Sequence, residues 1–584
     1  MFRKVAFALI LGILFFSSVR AEEFISPLEA KDVALQLIQQ NVAYYALHPQ
    51  KLGNIPEWRG AELGDPILVH TYPDLKPCYY VVPVVNPENE IISLIGTSAK
   101  SQQWQWFSQT QLDKFPKVSE SQASRICEER IQNIGVSTPK VVEMPDKKLY
   151  WHFLTGDNQL KEVFINIDEA SEVHTNLDPD ISELTTGHEP APIYSPSDQK
   201  AGKSHPKIDF LYPDSYDIVM PFYYQETSWY CGEAALKMVF DYWESAVSQT
   251  DIGDVANENI SYGTYSDDLR RASHFSYIST AIQNPSLQGY NERDLGYSGD
   301  EVYWSEPSHY PDRFDDLKNL ISNDYPILVL TWYSSSHSSG HFRVVKGYDN
   351  SLNHFIVHDP WYSAPYYGPN VHFNQTFFVD DLWVYSSRWG LLSAPWKAVI
   401  SAPPVIYTSE LVTVDANFTY TAFHPFESQF LADSVLATII LPPGYQLISP
   451  PSPTIYYGSQ YSGFVGSPSW QIQTPSDSSG PDTVRMEVKG KVTGSSYSYW
   501  EYQDWIGGET KVTVTTVSYV RGDLNKDHVI ELGDVVYLIS YLYKSGEPPS
   551  PLEAGDVNCD SLVELGDVVY LISYLFKNGT PPCD

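Results

Sequence analysis

The chain has 584 residues, with 37 Lys plus Arg against 72 Asp plus Glu and a formal net charge of −35. That length implies three or four domains, and so negative a surface excludes a protein built to hold nucleic acid phosphates. The acidity suits an extracellular protein with calcium-binding loops, and the 42 tyrosines point to β-rich exported domains.

The first 21 residues read as an export signal. Arg3 and Lys4 precede an apolar run from Val5 to Phe16, and Val19-Arg20-Ala21 ends in a small residue suited to cleavage. No later stretch reaches the roughly 18 apolar residues of a spanning helix, so the expectation is a secreted, soluble protein without a transmembrane segment. Residues 22–188 read as an α+β region. Ser26-Pro27-Leu28-Glu29 is a capping box with Pro at the first helical position, and Ala30, Val33, Ala34, Leu37 and Ile38 follow at helical spacing. YYVVPVV (79–85) and EIISLIG (90–96) are strand-like. The Pro/Ser/Lys-rich stretch 189–207 reads as a linker. A region of this size between a signal and the domains that follow admits two readings, a pro-region or an accessory domain.

Export permits disulfides, and the cysteines are Cys78, Cys127, Cys231, Cys559 and Cys583. Local pairing of Cys78 with Cys127 and of Cys559 with Cys583 leaves Cys231 as a free thiol.

Residues 208–402 carry the chemistry. In QETSWYCGEAALKMVFDYW (225–243) a helix begins at Cys231, with Ala235, Met238, Val239 and Tyr242 as its apolar stripe. A thiol at a helix N-terminus feels the positive end of the dipole and ionises more readily. Gln225, one loop earlier, can offer its amide to an oxyanion beside the cysteine N–H. Downstream, YPILVLTWY (325–333), HFRVVKGY (341–348) and NHFIVH (353–358) are the clearest strands. A hairpin centred near residue 350 places His341 opposite Asp359, where the carboxylate can orient the imidazole. Alternation turns His358 to the other face. His337 is the nearest competitor for the base.

The Gln-x5-Cys-Gly helix followed by Gly-His-strand-turn-strand-Asp-Pro resembles papain-like cysteine peptidases, most closely those related to bacteriocin-leader-processing peptidases. The resemblance implies a papain-like α+β domain acting on peptide or protein, with Gln225 in the oxyanion hole, Cys231 as nucleophile, His341 as base and Asp359 as orienter, and no catalytic cofactor. Two other readings stay open: an amidase or transglutaminase-like acyl transferase on the same constellation, and a non-catalytic protein that binds peptide or glycan.

From 403 to 520 short strands alternate with Pro, Ser and Gly turns, the pattern of an immunoglobulin-like β-sandwich. Residues 521–584 are an internal duplication: GDLNKDHVIELGDVVYLISYL (522–542) recurs as GDVNCDSLVELGDVVYLISYL (555–575). Oxygen donors fall at the spacing of a calcium loop in both copies: Asp523, Asn525, Asp527, Glu531 and Asp534, then Asp556, Asn558, Asp560, Glu564 and Asp567, with the backbone carbonyls of Val529 and Leu562. His528 and Ser561 stand at the sixth position, where a positive φ is required without glycine's freedom. The segment resembles type I dockerin. That implies a small α-helical module, two Ca²⁺, a cohesin-bearing scaffold protein as partner and a setting in polysaccharide catabolism. Leu532-Gly533 and Leu565-Gly566 depart from the hydroxylated residues usual at the partner-selecting positions. Cys559–Cys583 would tie the second loop to the chain end.

Overall fold

The structure is a computed structural model that describes residues 24–583 except 49–57, 132–135, 145, 156–160, 176–211, 244–246, 257–262, 275–296, 306–312, 363–367, 422–429 and 497–499. The expected signal (1–21) and linker (189–207) lie outside the described residues. The chain divides into two compact units. One gathers Met1–Gly187, Trp332–Ser339 and Ser363–Leu382; the other gathers His188–Thr331, Gly340–Tyr362 and Trp383–Asp584.

In the first unit the helix Pro27–Leu47 starts at the expected capping box. Ser26 Oγ accepts the Glu29 N–H at 3.3 Å, and the Glu29 carboxylate accepts the Ser26 N–H at 2.7 Å. Ala30, Val33, Ala34, Leu37 and Ile38 are all buried. They face a sheet whose strand order is Gly368–Asn374, Trp104–Leu112, Ile91–Ser98, Pro77–Val85, Ile67–Thr71, Lys140–Glu143, Leu149–Thr155, Lys161–Asn166 and Val173–Thr175. Leu37 and Ile38 pack with Val82, Val84, Ile95 and Phe107, a contact whose truncation to alanine costs about 2–5 kcal/mol per side chain. Pro77–Val85 is buried along nearly its whole length, as a central strand covered on both faces must be.

Cys78 and Cys127 are both buried and free, so the expected pairing does not form. The two belong to different packing layers. Cys78 lies on the strand Pro77–Val85 with its thiol 3.4 Å from Ser335 Oγ, whereas Cys127 sits in the helix Glu120–Ile131. Burial pushes the two thiols up, to about 12 and about 11, which leaves both unreactive.

The same unit contains a fully buried carboxylate, Glu143. Its Oε1 accepts the hydroxyls of Ser334 and Ser336, and its Oε2 accepts Tyr79 Oη at 2.6 Å. Burial raises its affinity for a proton, and these hydroxyl donors oppose the rise.

In the second unit the helix Cys231–Tyr242 is buried nearly all round. Gly232, Glu233, Ala234, Leu236 and Phe240 join the expected Ala235, Met238 and Val239, so it is a core helix and its stripe is wider than the periodicity suggested. It packs on a sheet ordered Tyr297–Tyr303, Trp389–Pro395, Ile327–Trp332, Gly340–Asp349 and His354–Asp359, with Ser215–Asp217 on the end of Gly340–Asp349.

Two further sheets follow in this unit. Lys397–Ser401, Leu411–Thr419, Ser469–Gln473 and Gln446–Ser449 form one; Val405–Tyr407, Trp500–Val517, Ser479–Ser496, Leu431–Ile440 and Thr454–Tyr461 form the other. Exposed and buried residues alternate along Leu411–Thr419, as in a strand with one face on a core. The tail forms the helices Leu532–Lys544 and Leu565–Lys577 around Leu524, Val535, Leu538, Val557, Val568 and Leu571. The disulfide Cys559–Cys583 is present. His528 and Ser561 take up φ values of 69° and 70°, as their place in the loops demands.

Candidate functional site

The strand ladder sets the geometry. Val344 pairs with His358 and Val345 with Val357, then a bulge between Val345 and Gly347 shifts the register so that Asp349 faces His354. The ladder therefore places Asp359 across from Arg343, not from His341, because the turn closes later than a centre near residue 350 implies. A shift of two residues preserves the face. His341 consequently reaches Asp359 along the diagonal, within the span that long side chains bridge.

His341 Nε2 lies 2.7 Å from Asp359 Oδ1, and both side chains have zero exposure. Arg343 Nε donates to Asp359 Oδ2 at 2.7 Å, and the Trp361 N–H donates to Oδ1 at 2.9 Å. Arg343 also donates to Thr331 Oγ1, which in turn donates to the His341 carbonyl at 3.1 Å. Burial by itself would raise the Asp359 carboxyl, but the charges of His341 and then Arg343, with the hydrogen bonds from His341 and Trp361, hold it well below the usual carboxylate range. Arg343 and Thr331 were not picked out from the sequence. The available signal was Arg343 two residues after His341 on the same strand, hence on the same face.

Cys231 is the first residue of its helix, half-buried, with Tyr230 ahead of it. A Cβ on Gly232 would come 3.2 Å from the Phe342 ring. This close approach seats the start of the cysteine helix on the strand residue next to His341. Gln225 is buried, and its backbone N–H donates to Pro360 O at 2.9 Å, fastening it beside Asp359. Its Nε2 donates to Thr227 O at 2.7 Å and its Oε1 is buried with no partner among the described residues. The loop is bracketed by Gln249, whose Oε1 accepts the Glu226 N–H at 3.0 Å and whose Nε2 donates to Tyr224 O at 2.8 Å. Nothing in the sequence had pointed to Gln249.

The rival histidines are engaged elsewhere. His358 Nε2 lies 3.5 Å from Met220 O, and burial holds its imidazole neutral down to about pH 3. His337, in the first unit, lies 3.4 Å from Asp381 and stacks on Trp332.

In the tail each loop folds back on its own carboxylates. Asp523 Oδ1 accepts the Asp527 N–H at 3.2 Å, and Asp556 Oδ1 accepts that of Asp560 at 3.1 Å. Asp534 and Asp567 sit at the N-terminal turns of the two helices, each buried and each accepting backbone N–H groups from its loop. Asn525 and Asn558 bond to Asp527 and Asp560, and the N–H groups of Val529 and Leu562 donate to the same two carboxylates. Glu531 and Glu564 close capping boxes with Asp534 and Asp567. Among the described residues, no three carboxylate, His or Cys side chains converge as a set that could hold a metal ion. The loop donors fit a hard cation only with their asparagine and backbone oxygens included, which is the oxygen-rich mixture calcium takes.

Comparison with known proteins gives two family matches on the chain. A family model described as a Peptidase_C39-like family matches residues 218–380, and one for the type I dockerin domain matches residues 521–576. Among solved structures, the peptidase domain of Streptococcus ComA, a bi-functional ABC transporter involved in quorum sensing, aligns at 19% identity and a TM-score of 0.21. The alignment covers 31% of this chain and 98% of that one. At that TM-score it adds nothing to the family match. No curated protein matches the chain. The protein is thus multidomain, with mixed helices and sheets, a peptidase C39-like segment and a type I dockerin.

Proposed function

We propose that the protein is a secreted cysteine peptidase carried on a scaffold by its dockerin. The observation that carries the reading is the His341–Asp359 pair, wholly buried on a strand against which the Cys231 helix is seated, inside the segment matched by the peptidase family. Asp359 occupies Nε2, so Nδ1 is the nitrogen that exchanges a proton with the thiol. The Cys231 thiolate attacks the peptide carbonyl. The oxyanion is held by the Cys231 N–H and by a Gln225 amide hydrogen not used on Thr227. His341 protonates the leaving amine, and water, activated by His341, hydrolyses the thioester. Arg343 keeps Asp359 ionised and fixed while it orients the imidazole.

The tail binds one Ca²⁺ per repeat and docks to a cohesin-bearing scaffold, supported by the dockerin match and the duplicated donor spacing. No helix among the described residues is long and apolar enough to cross a membrane. Export rests on the N-terminal signal pattern. The paired sheets of residues 397–517 act as an immunoglobulin-like spacer, supported by their alternating burial. The deciding experiment is digestion of a peptide library by the wild type beside Cys231→Ala, with amine acceptors added to expose acyl transfer. Equal product from both proteins would refute the peptidase assignment.

A further inference from the structure

The two tail repeats share ELGDVVYLISYL without a difference, yet their loops are held in different ways. The second loop is closed covalently by Cys559–Cys583, and the bonds from Asp556, Asn558, Asp560 and Asp567 stay within the tail. The first loop has no cysteine and is held from outside. Tyr407, at the end of the strand Val405–Tyr407, donates its hydroxyl to Asp523 Oδ2. His528, where the second loop has Ser561, places Nε2 2.6 Å from Glu410 Oε1 and stacks on Tyr407 with ring centroids 5.1 Å apart. Lys526 sets its ammonium 5.6 Å from the centroid of the same ring.

The platform behind these contacts is buried and hydrogen-bonded in its own right. Tyr407 is 4% exposed. Its N–H donates to Glu410 Oε2 at 2.7 Å, and its carbonyl accepts Thr474 Oγ1 at 2.6 Å. One Glu410 carboxylate therefore joins the Tyr407 backbone to the His528 imidazole.

Asp523 stands at the first ligand position of its loop. A carboxylate that gives one oxygen to a cation is oriented by whatever holds the other, and loss of such an outer partner typically weakens metal binding 10–100-fold. We propose that Tyr407 and Glu410 form an outer shell for the first calcium site, so that the two sites load unequally and the first is linked to the stability of the β-sheet segment. This rests on the calcium-binding reading of the dockerin. Linkage is reciprocal: whatever the sheets contribute to calcium affinity at Asp523, calcium returns to the sheets.

The test is calcium titration of the full chain by calorimetry in two backgrounds. Asp556→Ala with Asp567→Ala leaves the first site; Asp523→Ala with Asp534→Ala leaves the second. Tyr407→Phe should weaken binding at least about tenfold in the first background and leave the second unchanged. His528→Ser, which gives the first loop the residue of the second, should act in the same direction and guards against a folding defect peculiar to Tyr407→Phe. Equal weakening in both backgrounds, or no change in the first, would overturn the proposal. Absence of calcium binding in the unsubstituted chain would instead refute the dockerin reading beneath it.

Discussion

His341 and Asp359 meet at 2.7 Å although the ladder sets Arg343, not His341, across from the aspartate. The carboxylate is thus shared between an imidazole and a guanidinium with all three side chains buried. This arrangement separates two kinds of loss. Cys231→Ala removes one sulfur from a half-buried position and should abolish turnover, by at least about 10⁴-fold, with thermal stability unchanged. His341→Ala should approach the same loss. Asp359→Asn keeps an acceptor for one partner and should act mainly on kcat. Asp359→Ala strands the buried Arg343 charge and should also destabilise the fold by about 3–5 kcal/mol. Kinetics and denaturant unfolding of the four variants check this; an active Cys231→Ala would end the peptidase reading.

Much of this site was legible because strand alternation survives errors of register. Misjudging the hairpin by two residues exchanged the partner opposite Asp359 but left His341 on the face that meets Asp359. The two tail helices, the capping box at Ser26 and the disulfide Cys559–Cys583 were legible because each is encoded within a few residues or a repeat. Cys78 and Cys127 were misread for the converse reason. Nearness in sequence says nothing about the layer into which a strand cysteine and a helix cysteine point. Gln249 and Glu143 act through contacts distant in sequence, and no local pattern marks them, whereas Arg343 carried only the i, i+2 signal of its place on the His341 strand.

Glu143 bears on whether residues 22–188 are a removable pro-region. Its acceptors satisfy Ser334 and Ser336, in the segment that ends just before Gly340 and His341, and the strand Trp104–Leu112 pairs with Gly368–Asn374. Removing the region would strip both segments of these partners, which favours a lasting structural role. Glu143→Ala leaves buried hydroxyls without an acceptor at about 1–3 kcal/mol, while Glu143→Gln retains one acceptor oxygen. Hydrogen exchange at residues 332–339 should accelerate about tenfold or more in the alanine variant and less in the glutamine variant. A stable, fully active protein lacking residues 22–188 would contradict this.

Acid should loosen the second unit before it touches Asp359. Burial first, with Arg270 nearby, lowers His274 to about 3, and burial first, with Lys346 nearby, lowers His358 to about 3. A histidine whose folded value is depressed contributes stability that is complete above the unfolded value, about 6.5, and is lost as pH falls toward 3. At pH 5 each would cost on the order of 2 kcal/mol. Asp359, depressed as a carboxylate, keeps its contribution until pH drops below about 4. Urea midpoints measured between pH 7 and pH 4 should fall, and His358→Gln should flatten the slope. An unchanged slope would show that the imidazole is not held neutral by its surroundings.

The tail offers the sharpest separation of modules. Its core is six buried apolar side chains, with partly buried ones packed against them, around two short helices, too little to hold a module of this size without further support. Calcium and the Cys559–Cys583 bridge supply it, and metal binding free energy becomes folding free energy. The bridge closes a span of 24 residues, for which loop closure gives about 3 kcal/mol. Chelation should therefore unfold residues 521–583 and release the protein from a cohesin, while peptide hydrolysis continues. With Cys559→Ser and Cys583→Ser the same release should occur at lower chelator concentration, whereas a reductant alone should leave the calcium-loaded tail docked. Circular dichroism and cohesin capture across a chelator titration measure both. A tail that remains folded and cohesin-competent in excess chelator would remove the calcium dependence and, with it, the reason the two loops carry their carboxylates at this spacing.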